Sequence, residues 1–166
     1  RAVVLGAGGA ARAVAVALAR AGCRRIVVAN RTESKARALA HAVARHGAEA
    51  VGLPLAREVL ARAVAEADLL VQATTLGMAG NTGPPVDPEW LRPPLLVADL
   101  VYTPMETPLL RAAKARGCAV LPGWGMLLYQ GTEAFERWTG VPAPTAVMRE
   151  ALLAALTGRR PPDNDA

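Results

Sequence analysis

Residues 2–11 read AVVLGAGGAA, and this stretch is the most informative about the fold because it joins a short apolar strand, a glycine turn and the start of an Ala-rich helix. Gly6 permits the tight turn, Gly8 lets the backbone approach a phosphate, and small Ala11 lets the helix pack on the strand. Free N–H groups at the helix start, with the helix dipole behind them, favour negative charge. The stretch therefore predicts a pyrophosphate-binding unit of a dinucleotide site. The residues predicted to bind the pyrophosphate are Gly6, Ala7, Gly8, Gly9 and Ala10.

Residues 26–32 read IVVANRT and form the second half of the predicted site. This second strand ends about 20 residues after the glycine turn, the spacing at which dinucleotide folds contact the adenosine ribose. A ribose with a free 2′-hydroxyl is usually bound there by Asp or Glu, whereas an arginine fork suits a 2′-phosphate. This chain has Asn30 and Arg31, followed by Thr32 and Lys35. The sequence therefore predicts NADP(H) rather than NAD(H) as the cofactor.

A simpler interpretation exists for each half of this site. The glycine pattern alone also fits a tight turn between buried elements, and Arg31 alone also fits a solvated surface charge. The functional interpretation is favoured because the glycine turn follows a strand, opens a helix and precedes a second strand at the required spacing.

The composition bounds the class of protein. Of the 166 residues, 52% are hydrophobic and 20% are charged, which is typical of one globular domain with a buried core. No apolar run is long enough to cross a bilayer, and no signal-peptide pattern is present. The net charge of +5 is scattered, and aromatic residues make up only 4%. We therefore predict a protein that binds neither membranes nor nucleic acid.

The cysteines and histidines do not predict a metal site. Cys23 and Cys118 lack metal-ligand spacing and are interpreted as small buried side chains at strand edges, and His41 and His46 as surface residues. The chain has only these two cysteines, which favours a reducing compartment, so we predict a cytoplasmic location. The chain begins with Arg1, not Met, and immediately enters the first strand, so we expect a piece of a longer protein.

Strand and helix patterns alternate along the whole chain. This alternation, opened by the glycine turn, predicts an α/β Rossmann-like fold, a doubly wound parallel six-stranded sheet with helices on both faces. We expect residues 1–157 to form one such domain and residues 158–166 to form a disordered tail. The predicted strands are 2–5, 26–29, 50–53, 69–73, 95–100 and 119–121, and the helices after the first are 33–46, 57–67, 108–115, 126–138 and 145–156.

Apolar spacing predicts which helix faces are buried. In helix 57–67 the inward residues are expected to be Val59, Leu60, Ala63 and Val64. In helix 145–156 an apolar stripe is formed by Met148, Leu152, Leu153 and Leu156. If this stripe is left uncovered, we expect the chain to associate with itself, for example as a homodimer, or its last helix to be unanchored.

The loops that follow the strands carry unusual residues in combination. The diphosphate loop and the Asn30-Arg31-Thr32 segment are accompanied by three further motifs. These are 73–78 (ATTLGM), 99–104 with 107–110 (DLVYTP and TPLL), and 123–127 (GWGML) with Gln130, Phe135, Trp138 and Gly140. Together they resemble shikimate dehydrogenase, specifically its C-terminal NADP-binding domain, over nearly the whole chain. One departure is Gln72, which stands where the family normally has Asn.

The resemblance implies roles for individual residues. Asn30, Arg31, Thr32 and Lys35 would form the 2′-phosphate clamp, and Thr74 would lie in a cofactor loop. Leu100 and Gly123 would contact the nicotinamide end through backbone groups, and Met126 would border the nicotinamide. Substrate contacts would come from Tyr102 and Gln130, whose hydroxyl and amide suit a polyhydroxylated acid.

The resemblance also implies the reaction. The family transfers hydride reversibly between NADP(H) and the shikimate/3-dehydroshikimate pair, in aromatic amino acid biosynthesis. Its catalytic Lys and Asp lie in an N-terminal substrate domain that we expect to be absent here, so no catalytic residue is assigned and the isolated chain is expected to be inactive. Asp99 is interpreted as an anchor for its loop rather than an acid catalyst. In the family the segment after Trp138 returns toward the missing domain, so helices 126–138 and 145–156 would lose that cover.

Three alternatives stay open at this point. One is a quinate-using relative of shikimate dehydrogenase, many of which prefer NAD. Another is the cofactor domain of glutamyl-tRNA reductase, although the motifs containing Tyr102 and Gln130 argue against it. The third is a non-enzymatic module that senses NADP(H) or mediates an interaction.

Overall fold

The computed structural model describes residues 1–78 and 83–158. Strands and helices alternate over this part of the chain, and one short 3₁₀ helix interrupts the Pro-rich segment at Pro88–Trp90. The strands are β1 Ala2–Leu5, β2 Arg25–Asn30, β3 Glu49–Pro54, β4 Leu69–Gln72, β5 Leu96–Asp99 and β6 Ala119–Pro122. The helices are α1 Gly9–Arg20, α2 Glu33–Ala44, α3 Arg57–Ala65, α4 Pro108–Ala115, α5 Trp124–Thr139 and α6 Thr145–Thr157.

The six strands form one parallel sheet in the order β3-β2-β1-β4-β5-β6, which confirms the predicted doubly wound fold. The order reverses between β1 and β4, because the chain leaves one edge of the sheet and returns beside its first strand. The register aligns the carboxyl ends of the central strands: Leu5, the last residue of β1, lies opposite Ala29 near the end of β2 and opposite Gln72, and Gln72 lies opposite Asp99. The loops that follow these strands therefore start at one edge of the sheet.

Successive residues of each strand point to opposite faces of the sheet and so belong to two separate hydrophobic cores, one on each face. Val4, Ile26 and Val28 meet the Ala-rich faces of α1 and α2. Val3, Leu5 and Val27 belong to the opposite core, which also contains apolar residues of α3 and α4. A strand covered on both faces needs apolar residues at every position, which explains the continuous apolar runs in the sequence.

The structure corrects one predicted helix face. In α3, Leu60 and Val64 are buried as expected and Ala63 packs partly against the core, but the prediction for Val59 is wrong. Val59 is 37% exposed and lines a cavity of about 220 Å³ between α3 and the first three strands. Fewer residues of this short helix are buried than its apolar pattern predicts, because only Leu60 and Val64, which are four residues apart, point directly at the sheet.

A close approach between α2 and β3 depends on Gly52. A Cβ placed on Gly52 would lie 2.3 Å from the backbone nitrogen of Arg37, so any side chain would push α2 away from the sheet. The sequence offered no sign of this contact, because it joins residues from two separate elements.

His41 and His46 are exposed, Cys118 is buried and Cys23 is only partly buried. None of the described helices combines the length and apolar character needed to cross a membrane. The predicted disordered tail, 158–166, lies outside the described residues except for Gly158, which ends α6 with a positive φ of 68°.

Candidate dinucleotide site

A groove of about 750 Å³ opens at the carboxyl ends of β1, β2, β4 and β5. This edge, beside the reversal of strand order, is where doubly wound sheets bind ligands. The groove is lined by Gly6, Ala7, Gly8, Ala10, Asn30, Arg31, Lys35, Ala73, Thr74, Thr75, Met78, Leu100, Val101, Tyr102, Thr103 and Met126. The fold therefore brings together loops that are far apart in the sequence.

The glycine turn forms the floor of this groove and has two different kinds of glycine. Gly6 has a φ of 109°, and a Cβ there would lie 2.8 Å from the carbonyl oxygen of Ala73, so both its conformation and its packing require glycine. Its N–H donates to the carbonyl of Ala29 at 2.8 Å. Gly8 and Gly9 differ, because a Cβ at either would meet nothing within 4 Å. Their backbone is therefore open to a ligand.

Helix α1 begins at Gly9 with no side-chain cap and no acidic residue in its first turn. Its first backbone bond within the helix joins the N–H of Arg12 to the carbonyl of Gly8. The N–H groups before Arg12 have no partner inside the helix, and with the helix dipole they form an anion-binding end that faces the groove.

The second strand supplies positive charge to the same groove. The Asn30 amide donates to the carbonyl of Thr32 at 3.0 Å and so shapes the turn between β2 and α2. Arg31 and Lys35 are exposed and line the groove. Within the described part of the chain neither forms an ion pair, whereas nearby Arg37 is paired with Glu33. Two cations are thus available to an anionic ligand.

The last residues of β4 and β5 are both buried and polar. Gln72 is 0% exposed; its oxygen accepts from the Thr74 N–H at 3.2 Å and the Thr74 hydroxyl at 3.1 Å, and its amide donates to the Leu76 carbonyl at 3.0 Å. Sequence reasoning noted Gln72 only as a departure from the family and did not predict these bonds.

Asp99 anchors the loop that follows it, as expected from the sequence. Its carboxylate accepts from the Val101 N–H at 3.0 Å and from the Thr107 hydroxyl at 2.6 Å. Thr107 also caps α4 by accepting from the N–H of Leu110. Burial raises the pKa of Asp99 above its ordinary value, although the bonds from Thr107 and Val101 act in the opposite direction. Both ends of the loop that carries Tyr102 are therefore held by one carboxyl group.

Helix α5 completes one wall of the groove. A Cβ on Gly123 would lie 2.5 Å from the carbonyl oxygen of Leu100, so glycine allows the start of α5 to sit directly on the end of β5. Met126, one turn further, lines the groove, and so does Tyr102, which is 37% exposed. Gln130 is exposed on α5. Of the predicted site residues, those that do not line the groove are Gly9, Thr32, Gly123 and Gln130.

Several residues that line the groove were not predicted one by one from the sequence. The loops containing them were expected at this edge, but only their Thr74, Leu100 and Tyr102 were singled out. The others that line the groove are Ala73, Thr75, Met78, Val101 and Thr103. Their position after β4 and β5 was the available signal, because loops that follow parallel strands meet at one edge.

Over residues 1–78 and 83–158, no cluster of three or more His, Cys, Asp or Glu side chains could hold a metal ion. Burial raises the pKa of the Cys118 thiol, which lies away from the groove. The polar chemistry of the groove therefore consists of backbone N–H groups, hydroxyls, amides and the two free cations.

Comparison with known proteins agrees with this geometry. Residues 1–78 match the family model described as shikimate / quinate 5-dehydrogenase, and residues 123–153 match that of the shikimate 5′-dehydrogenase C-terminal domain. The NADP(+) shikimate dehydrogenase of Moorella thermoacetica is 51% identical over 158 residues, covering 94% of this chain and 54% of that protein. The chain thus spans about half the length of the curated relatives it matches.

Solved structures share the fold. Quinate dehydrogenase from Corynebacterium glutamicum, in complex with NAD, is 39% identical with a TM-score of 0.86, over 92% of this chain and 54% of that one. Shikimate 5-dehydrogenase from Thermus thermophilus, in complex with NADP(H) and shikimate, is 42% identical with a TM-score of 0.79, over 93% and 55%. The matching family models at both ends of the chain, the identity to curated relatives and the common fold show that this chain belongs to the shikimate dehydrogenase family.

Proposed function

We propose that this chain binds NADP(H) in the groove at the carboxyl edge of its sheet, and that residues 1–157 form the cofactor domain of a longer shikimate dehydrogenase. One observation carries the proposal: the uncapped start of α1 faces the same groove as Arg31 and Lys35, two cations without an ion-pair partner among the described residues. A pyrophosphate suits the first feature and a second, separate phosphate suits the others.

The 2′-phosphate distinguishes NADP(H) from NAD(H). Among the described residues that line the groove none is acidic, so none of them would accept hydrogen bonds from a free 2′-hydroxyl in the way that Asp or Glu does. Arg31 offers a planar fork for two phosphate oxygens, and Lys35 adds a point charge. Asn30 and Thr32 shape the turn that carries them.

We propose that the longer protein reduces 3-dehydroshikimate to shikimate reversibly with NADPH, because the curated relatives are NADP(+) shikimate dehydrogenases. Tyr102 and Gln130 would contact the substrate, while Met126, Leu100 and Gly123 would surround the nicotinamide. The described residues that line the groove include no carboxylate and no histidine. The catalytic Lys and Asp would come from the part of the relatives that this chain does not match, so the isolated chain should bind cofactor without turnover.

A quinate-specific enzyme that uses NAD is the second candidate. It is favoured by the similarity to the quinate dehydrogenase from Corynebacterium glutamicum, whose structure contains NAD. Arg31 argues against it, because an unpaired cation at the ribose gains nothing from a neutral 2′-hydroxyl. Two unpaired cysteines within the described residues fit a cytoplasmic enzyme of either kind.

Parallel calorimetric titrations of the purified chain with NADPH and NADH test the proposal. We expect clear preference for NADPH. Preference for NADH would support the quinate candidate, and binding of neither cofactor would contradict NADP(H) binding by this chain. Expression of the complete coding sequence, assayed with shikimate and quinate, then tests the reaction separately.

A further inference from the structure

Gln72 closes the loop that follows β4 with three hydrogen bonds. The side chain is 0% exposed, and a buried amide has to satisfy both its acceptor and its donor. The oxygen accepts twice from Thr74, and the nitrogen donates to the Leu76 carbonyl. Only a side chain with an acceptor and a donor at this reach can make all three bonds.

Thr74 transmits this constraint to the glycine turn. Its hydroxyl donates to Gln72 and accepts from the N–H of Leu76 at 3.1 Å. Its methyl group lies 3.2 Å from the point where a Cβ of Gly6 would stand, and the carbonyl of Ala73 lies 2.8 Å from that point. Thr74 therefore packs against the turn where the pyrophosphate is proposed to bind, and it lines the same groove.

We propose that Gln72 is a positioning residue for the cofactor, which acts by holding Thr74 and loop 73–78 against the glycine turn. This inference rests on the proposed binding of NADP(H). Gln72 itself is not expected to contact the cofactor. Gln72 does not line the groove. Its effect on binding must therefore pass through Thr74, and it must be the same for NADPH and NADH, since the 2′-phosphate clamp lies on a different strand.

Two nearly isosteric variants test the coupling. Gln72→Met keeps the length of the side chain and removes its hydrogen bonds, and Thr74→Val keeps the methyl group against Gly6 and removes the hydroxyl. We expect each variant to raise the Kd of NADPH and the Kd of NADH by the same factor, about fivefold to tenfold, because part of the free energy of the lost buried hydrogen bonds is expressed in binding. The loss of affinity in the double variant should be smaller than the sum of the two single losses, because both changes remove the same bond between the Thr74 hydroxyl and Gln72. Thr74→Ser keeps the hydroxyl and its two hydrogen bonds, so it should bind both cofactors more tightly than Thr74→Val does.

Amide hydrogen exchange without cofactor supplies a readout that is independent of binding. In Gln72→Met the amides of Thr74 and Leu76 should exchange faster, while those of Val3 and Val71 in the central strands stay protected. Protected strand amides show that the variant is folded. If the strand amides of Gln72→Met lose their protection, this variant is not folded, and the cofactor affinities of Thr74→Val and Thr74→Ser are compared instead. Equal affinity of these two variants overturns the proposal.

The outcomes separate this inference from the proposed function. If the native chain binds neither cofactor, the proposed function itself fails. If it binds NADPH but Gln72→Met binds equally well, or if the two single losses add in the double variant, the positioning role is overturned and the proposed function stands.

Discussion

Arg31 and Arg37 are both exposed arginines at the start of α2 but have different surroundings. Arg31 lines the groove without an ion-pair partner among the described residues, while Arg37 is paired with Glu33 one turn away. We expect Arg31→Ala to weaken NADPH binding by about 1.5–3 kcal/mol, the scale of hydrogen bonds to a charged group, and to leave NADH nearly unchanged. Arg37→Ala is the matched control and should alter neither affinity. Equal losses for the two cofactors in calorimetric titrations of Arg31→Ala would rule out the phosphate clamp.

Asp99 gives the protein a pH dependence of stability with a defined sign. Because burial raises the pKa of Asp99 above its ordinary value of 3.8, the folded chain holds this proton more tightly than the unfolded chain. The free energy of unfolding should therefore fall as the pH rises from 3.8 through the raised pKa. In Asp99→Asn, which keeps an acceptor and a donor, this contribution is absent.

Urea unfolding of the native chain and Asp99→Asn across this pH range measures the effect. The stability of the native chain relative to the variant should decline with rising pH. Asp87 provides the opposite control, because the Glu89 N–H and the Arg57 guanidinium lower its pKa, and the stability it contributes should be lost as the pH falls below 3.8. A native-minus-variant difference for Asp99 that grows with pH would contradict the assignment.

At the level of elements, the turn between β1 and α1 separates binding from folding. Gly8 has a φ of −85° and open space around a Cβ, whereas Gly6 has a positive φ and a Cβ that would meet backbone. We expect Gly8→Val to weaken NADPH and NADH alike, by at least about tenfold, because its side chain would stand in the path of the pyrophosphate. Its thermal stability should barely change.

Gly6→Ala is the paired substitution, and unlike Gly8→Val it should lower the stability of the fold. Its Cβ is forced toward the Ala73 carbonyl in a left-handed conformation, so the melting temperature should drop. A large loss of stability in Gly8→Val, or none in Gly6→Ala, would show that the two glycines do not divide the roles in this way. Calorimetric unfolding of both variants makes the comparison.

For the whole molecule, the surface formed by α5 and α6 is the region with the most uncovered apolar side chains. Trp138 is 86% exposed, and Val141 and Val147 are 52% and 53% exposed. No residue described in α6 is fully buried, although Met148 reaches Gly131 on α5. We expect the chain to self-associate through this surface, because burying several exposed large apolar side chains of this kind is favourable. Sedimentation velocity should show mass increasing with concentration, and Trp138→Lys should shift the chain toward monomer. A rigid monomer at every concentration would contradict this.

Much of the fold and part of the site could be predicted from local pattern. The continuous apolar runs identify the strands and their order along the chain. The glycine turn and Asn30-Arg31 identify the two halves of the nucleotide site, because periodicity and glycine conformation act within a few residues. Gln130 was assigned by motif alone; the structure places it exposed on α5, outside the groove lining, and its role stays a prediction.

Local sequence patterns are therefore enough to predict the class of fold and the positions of the glycine turn and the cation pair along the chain. The tertiary structure alone decided that Gln72 and Asp99 lie side by side at the ends of β4 and β5, each holding a different loop. It also decided that Gly52 and Gly123 are close contacts between elements and that Val59 turns away from the core. The physical reason is that hydrogen-bond partners and contact distances depend on how strands register and helices pack, and these contacts join residues that no local pattern connects.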